Sequence, residues 1–436
     1  MFAAGGVWVR AYKMDRRKVI ILGLDGVPFE LLQDLAQSNV MPCVKDLIKN
    51  SILKKMNSSL PEISSVAWSS VITGVNPAAH GIFGFTDFYP TSYKLRFPNF
   101  NDLKAPAFWH KEDLKSVIIN VPSTFPVRPL NGVHISGFVS IDLERSVYPS
   151  NLLNKLQDLD YRLDVDSQKA HQSMDLFLSD LDDTHRARIK TYRYLWDYFN
   201  WQVFMLVFTG SDRLMHFLWK AYEDKNHKYN RDFLEYFRTI DTEIADIVER
   251  MSKDDVLVML SDHGFGRLDH DVYINYVLKE NGFLSFKDNN IDWNNISDST
   301  KAFAMDPARI YINLEGKYPS GKVKPNEKEK VIEQVVSIFE KIEVDGRKVV
   351  KSIHRKEHIY SGSYFDNAPD LVLLGNEGFN LKANIKTDKL NDKSIFSGRH
   401  VYDNAFFLIK ADADKPYLGD DFSVYDVMNT VSKFFV

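Results

Sequence analysis

Short apolar runs recur along the chain, and each is bounded by Asp, His, Gly or Ser. KVIILGL (Lys18–Leu24) ends at Asp25-Gly26, SVIINV (Ser116–Val121) meets Pro122, and VFMLVF (Val203–Phe208) runs into TGSD. VLVML (Val256–Leu260) runs into SDHGFG, and AFFLI (Ala405–Ile409) follows GRHVYDN. DLVLL (Asp370–Leu374) is a candidate sixth. Continuous apolar runs of this length suit strands covered on both faces, as in a parallel sheet. Helical spacing lies between several of them, starting with Pro28 to Ile48. Strand and helix in alternation predict an α/β fold with a largely parallel central sheet.

Two stretches break the alternation. Between 150 and 199, Leu178, Leu181, His185, Ile189, Tyr192, Trp196 and Phe199 recur at spacings of three and four, one apolar stripe of a helix packed on a core. Residues 287–330 are polar loops around a short strand near Arg309–Leu314. Insertions near 150–199 and 287–390 are expected to build a cap on one catalytic domain, 18–436, after an extension, 1–17, in which Met14 is a candidate start. No internal repeat interrupts this plan.

The formal charge of -4 comes from scattered groups, which argues against a nucleic-acid polymer or an anionic membrane as partner. The single cysteine, Cys43, excludes a disulfide framework. No apolar run approaches the roughly 20 residues that span a bilayer. The expectation is a cytoplasmic protein without a membrane segment.

Ligands of open α/β sheets collect beyond the carboxyl ends of the strands, so the residues after each run carry the chemical reading. Asp25 follows the first run. TGSDRLMHFLW gives Asp212 and His216, four apart on one helix face. Asp262 and His263 follow the fourth run, and His400 precedes the fifth. Singly, these are an N-cap, a surface pair, a turn and a loop histidine. Together they make the oxygen and nitrogen donor set of zinc and similar divalent ions. PEISSVAWSSVITGVNPAAHGIFGF (Pro61–Phe85) adds Ser64 and Ser65 ahead of an almost uncharged helix closed by Thr73-Gly74.

With ILGLDGVPFELL, INVPSTFPVRPLNGVHISGF, LSDHGFG and APDLVLL, these stretches resemble the alkaline phosphatase superfamily. The likeness is to its type I phosphodiesterase/nucleotide pyrophosphatase branch, and to its predicted phosphohydrolases or phosphomutases, from Val19 to about His400. The resemblance implies an alkaline-phosphatase-like three-layer fold and a centre of two divalent metals, usually zinc, with manganese or iron as alternatives. It places Asp25, Ser64, Asp262 and His263 on one metal and Asp212, His216 and His400 on the other. Ser64 falls at the nucleophile position, at a helix N-terminus that favours an alkoxide and a phosphate, with Ser65 as its neighbour. The implied reaction is hydrolysis of a small phosphorylated substrate, monoester or diester, through a phosphoseryl intermediate.

The sequence departs from the family where nucleotide pyrophosphatases carry an Asn, three residues after the nucleophile; here it is Ala67. Arg399, more readily a surface residue, is the substitute donor for the phosphoryl oxygens. The sulfatase signature is missing. His80 reads as structural, and Phe83, Phe85, Phe88 and Tyr89 as core before pocket wall. A metal-dependent phosphomutase or phospho-group transferase would use the same ligands. A non-catalytic binding protein is the third reading, against which all seven positions are filled. A G-x-S-x-G elbow and a P-loop are both lacking. Oligomeric state lies outside the sequence.

Overall fold

The computed structural model describes residues 17–411 and 415–435, so nearly all of the expected N-terminal extension lies outside the described residues. Eight strands form the main sheet: β1 (Val19–Leu24), β2 (Ile52–Met56), β3 (Ser116–Val121), β4 (Gly132–Ser136), β5 (Val147–Tyr148), β6 (Val203–Phe208), β7 (Val256–Leu260) and β8 (Ala405–Lys410). Their order is β2-β8-β7-β1-β6-β3-β4-β5. The pairs β7-β1, β1-β6, β6-β3 and β3-β4 are parallel. β8 runs antiparallel to both β2 and β7.

The apolar runs follow from double coverage. In β1, Ile20, Leu22 and Leu24 face one core while Val19 and Ile21 face another. The first core contains α1 (Phe29–Gln37), α3 (Met174–Tyr198), α4 (Gly210–Glu223) and α5 (Asn230–Arg250). The second contains α2 (Ser64–Thr73) and the C-terminal helix Val427–Val431. Helices, sheet and helices thus make three layers.

Two elements differ from the sequence reading. The helix expected from Pro28 to Ile48 is split into α1 and Pro42–Lys49. Asn39, at φ 58°, leaves the helical region, and Pro42 opens the second helix, where its missing N–H costs nothing. The DLVLL run lies outside the main sheet. Leu371–Gly375 pairs antiparallel with Arg309–Ile312 and Val350–Arg355, and Ala302–Met305 completes this four-stranded second sheet with its own core. Between the two sheets, the strand Gly264–Tyr273 pairs with Gly378–Lys382 and with Gly398–Val401.

Of the two segments expected as a cap, 150–199 puts α3 against the main sheet and sends Ser167 to the cleft described below. Segment 287–390 supplies Asp306, Pro307, Asn380, Leu381 and Lys382 to that cleft. Among the described residues no helix is long and apolar enough to cross a membrane.

Candidate metal centre and active-site cleft

β7, β1 and β6 are adjacent and parallel, with Gly23 opposite Leu260 and Leu24 opposite Phe208. Their carboxyl ends therefore share one edge, and the residues after them converge there. Asp25, Asp262 and His263 form one group whose donor atoms lie within 4.8 Å of one another; Asp212, His216 and His400 form a second. His400 arrives from the strand Gly398–Val401, which pairs it with Phe265, just past β7. The His263 and His400 rings stack with centroids 3.7 Å apart, so the groups are neighbours. Gly26 sits between them at φ 71°: a Cβ there would meet His263 Cε1 at 3.1 Å and Asp212 Oδ1 at 3.4 Å.

The hydrogen bonds fix where the imidazole protons are. Nδ1 of His263 donates to Gly264 O at 3.0 Å, Nδ1 of His216 to Gly398 O at 3.1 Å, and Nδ1 of His400 to Glu62 O at 3.0 Å. A carbonyl oxygen only accepts, so in each neutral ring Nε2 is left bare. Burial favours neutral rings: it lowers the His400 pKa, and lowers that of His263 to about 4 with help from His400. The bare nitrogens face one another. Nε2 of His216 and of His400 are 3.1 Å apart, and Asp212 Oδ1 lies 3.4 Å and 3.1 Å from them.

In the first group, His263 Nε2 lies 3.4 Å from Asp262 Oδ2 and 3.7 Å from Asp25 Oδ1. Those two oxygens are buried and have no hydrogen-bond partner among the described residues. The other oxygen of Asp262 accepts from Gly26 N–H at 3.1 Å. Burial raises both carboxyls, Asp25 well above the usual range with repulsion from Asp262 and Asp212, and Asp262 to about 7 with repulsion from Asp212. Lone pairs without a proton between them are repulsive, and a divalent cation at each centre would turn that repulsion into coordination. The carbonyls behind each ring orient it in the way metal-binding imidazoles require.

The serines of α2 divide into two sets. Ser69, Ser70 and Thr73 donate to the carbonyls four residues back, at 2.7, 2.8 and 2.7 Å, which satisfies hydroxyls in a buried helix. Ser64 Oγ instead faces His263 Nε2 at 3.2 Å, whereas Ser65 Oγ is buried and without a partner among the described residues. Trp68 wedges α2 against β1, where Gly23 leaves room; a Cβ there would fall 2.4 Å from the indole. Gly74, at φ 68°, closes the helix by donating to Ser70 O.

Sequence reasoning left Asp164 and Arg213 unnoticed. Arg213 bridges Asp164 Oδ2 at 2.8 Å and Asp212 Oδ2 at 3.1 Å, leaving Asp212 Oδ1 to the histidines. Its place beside Asp212 was the available signal; Asp164 offered none. Arg399 is buried rather than at the surface. It donates from its two terminal nitrogens to the carbonyls of Gly375, Asn376 and His400, while its Nε has no hydrogen-bond partner among the described residues. A cleft of about 430 Å³ adjoins the second group, lined by His216, His400, Arg213, Glu62 and Lys382 among others. Of the four aromatics weighed as pocket wall, Phe85 reaches it, Phe83 and Phe88 are core, and Tyr89 is exposed.

The family model for type I phosphodiesterase / nucleotide pyrophosphatase matches residues 19–403. Among solved structures, the chain is similar to phosphonoacetate hydrolase from Sinorhizobium meliloti 1021 in complex with phosphonoformate. The TM-score is 0.66 at 14% identity, covering 97% of this chain and 96% of that one. It is also similar to murine ectonucleotide pyrophosphatase / phosphodiesterase 5, with a TM-score of 0.54 at 12% identity over 96% and 95% of the two chains. An inactive form of the murine protein, in complex with AMP, gives a TM-score of 0.55 at 12% identity over the same shares. No curated protein matches the chain. The match over most of its length shows that the chain belongs to the type I phosphodiesterase / nucleotide pyrophosphatase family, phosphoric ester hydrolases of the alkaline phosphatase superfamily.

Proposed function

We propose that the chain hydrolyses a small phosphate ester at a two-metal centre, with Ser64 as nucleophile. The observation that carries this reading is the convergence of three bare imidazole nitrogens and two orphaned carboxylate oxygens beside one serine hydroxyl. Asp25, Asp262, His263 and Ser64 would hold one ion, and Asp212, His216 and His400 the other. The mixed oxygen and nitrogen set suits zinc, with manganese or iron as alternatives. Bound divalent cations supply Lewis acidity: they make a hydroxyl nucleophilic near neutral pH and neutralise charge on phosphoryl oxygens.

The chain's own residues do the rest. Ser64 opens α2, and the N-terminus of a helix favours an incoming phosphoryl group. Ser64 Oγ attacks phosphorus; the bond to the leaving oxygen breaks as the Oγ–P bond forms, and the leaving oxygen takes up a proton. Water then attacks the phosphoseryl phosphorus; the Oγ–P bond breaks, one water proton returns to Ser64 Oγ, and phosphate (or the remaining monoester) leaves with the water oxygen. Phosphonoformate and AMP in the related structures mark small phosphonates and nucleotides as the ligand classes to test first.

Turnover of p-nitrophenyl phosphate, bis-p-nitrophenyl phosphate and p-nitrophenyl sulfate by metal-loaded protein, with Ser64→Ala as blank, tests the proposal. Phosphate-ester turnover that disappears in the variant is expected. A sulfatase, or a variant as active as the parent, contradicts it. Transfer of the phosphoryl group to a second hydroxyl, with no phosphate released, would identify a mutase instead.

A further inference from the structure

The strand Gly378–Lys382 forms one wall of the cleft. Side chains alternate along a strand. Phe379 and Leu381 join the core of the second sheet, Leu381 also bordering the cleft, while Asn380 and Lys382, both half-buried, line the cleft. The Asn380 amide donates to Asp271 Oδ1 at 2.7 Å. The Lys382 ammonium has no ion-pair or hydrogen-bond partner among the described residues.

Its neighbours in the cleft are committed. Arg213 is held between Asp164 and Asp212, and Arg399 donates to three carbonyls. Two acids also line the cleft, Glu62 and Asp306. Asp306 accepts from Ala383 N–H at 2.7 Å, and neither acid pairs with Lys382. Phe85, Phe217 and Phe396 supply apolar wall, which strengthens any charge interaction inside.

An uncommitted ammonium in the cleft that holds His216 and His400 is a built-in counter-charge. We propose that Lys382 anchors a second anionic group of the substrate, a carboxylate or a further phosphate, apart from the reacting phosphoryl group. This rests on the phosphoester reading above. It narrows the substrate class to short phosphoesters with two separated anionic ends, rather than esters of neutral alcohols.

The test compares three inhibitors of p-nitrophenyl phosphate turnover: propylphosphonate, 3-phosphonopropionate and propane-1,3-bisphosphonate. Binding of each is also followed by calorimetry. One charge-assisted contact predicts that the doubly anionic probes bind at least ~10-fold tighter than propylphosphonate. The tighter of the two tells a carboxylate from a second phosphate. Lys382→Gln removes the preference, Lys382→Arg restores part of it, and Lys382→Glu reverses it, which a purely structural role would not do. Melting curves confirm that each variant is folded. Equal affinities for all three probes, or a preference that survives in Lys382→Gln and Lys382→Glu, overturns the proposal while leaving the phosphoester reading intact. If the parent binds none of them and turns over no phosphate ester, both fall together.

Discussion

His80 is buried at the end of the short helix Pro77–His80 that follows α2, and its hydrogen bonds define its protonation state. Ser70 Oγ spends its proton on Val66 O at 2.8 Å, so it accepts from His80 Nε2–H at 3.0 Å. Nδ1 accepts from Ile82 N–H at 3.2 Å. A second ring proton would destroy that last bond in a site with no solvent, and burial lowers the pKa to about 3. In the unfolded chain the value is about 6.5. The folded pKa is depressed, so the stability His80 contributes is complete above pH 6.5 and is lost as pH falls towards 3. Between pH 7 and pH 5 the unfolded state gains about three-quarters of a proton that the folded state refuses. Linkage puts the loss at about 2 kcal/mol from this one side chain. His80→Gln keeps an N–H for Ser70 and cannot titrate. Urea unfolding of parent and variant at both pH values isolates the term, because every other group cancels in the difference. The variant should lose about 2 kcal/mol less than the parent between pH 7 and pH 5. Identical losses would refute the neutral, satisfied histidine and the structural role given to it.

Other perturbations reach the site through different contacts. Gly23→Ala places a methyl 2.4 Å from the Trp68 indole and should cost about 1–3 kcal/mol in urea unfolding while lowering turnover, since α2 carries Ser64. Asp164→Ala releases Arg213 from its partner and leaves Asp212 less well aimed; chelator competition should show roughly 10–100-fold weaker binding of one metal equivalent. Stripping the metals should lower the melting temperature, because the facing carboxylates and imidazoles repel when empty. Adding zinc back at 100 times its Kd should return about 2.7 kcal/mol for each site filled.

Much of this arrangement was legible in the residues. The runs ending at Asp25, at Asp212 and at Asp262-His263 are covered on both faces, and such runs announce adjacent parallel strands whose carboxyl ends meet. Strand direction was not legible: β8 reads like its neighbours yet runs the other way, because burial sets composition and direction does not. Leu371–Gly375 is equally apolar for the same reason, although it belongs to the second sheet. Arg399 was misjudged because what buries it is a set of backbone carbonyls, two of them more than 20 residues away. Lys382, an unremarkable lysine in the sequence, gains meaning only when strand pairing sets its wall against the cleft of His216 and His400.

The central claim is that Ser64 takes the phosphoryl group. The most direct measurement is intact-protein mass spectrometry on metal-loaded enzyme, acid-quenched during turnover of a p-nitrophenyl phosphate ester, followed by peptide mapping. The account predicts one phosphoryl adduct on the peptide carrying Ser64, no adduct in Ser64→Ala, and turnover lowered in that variant by roughly 10³-fold or more. An adduct on Ser65 or elsewhere, or undiminished turnover by Ser64→Ala, would contradict it.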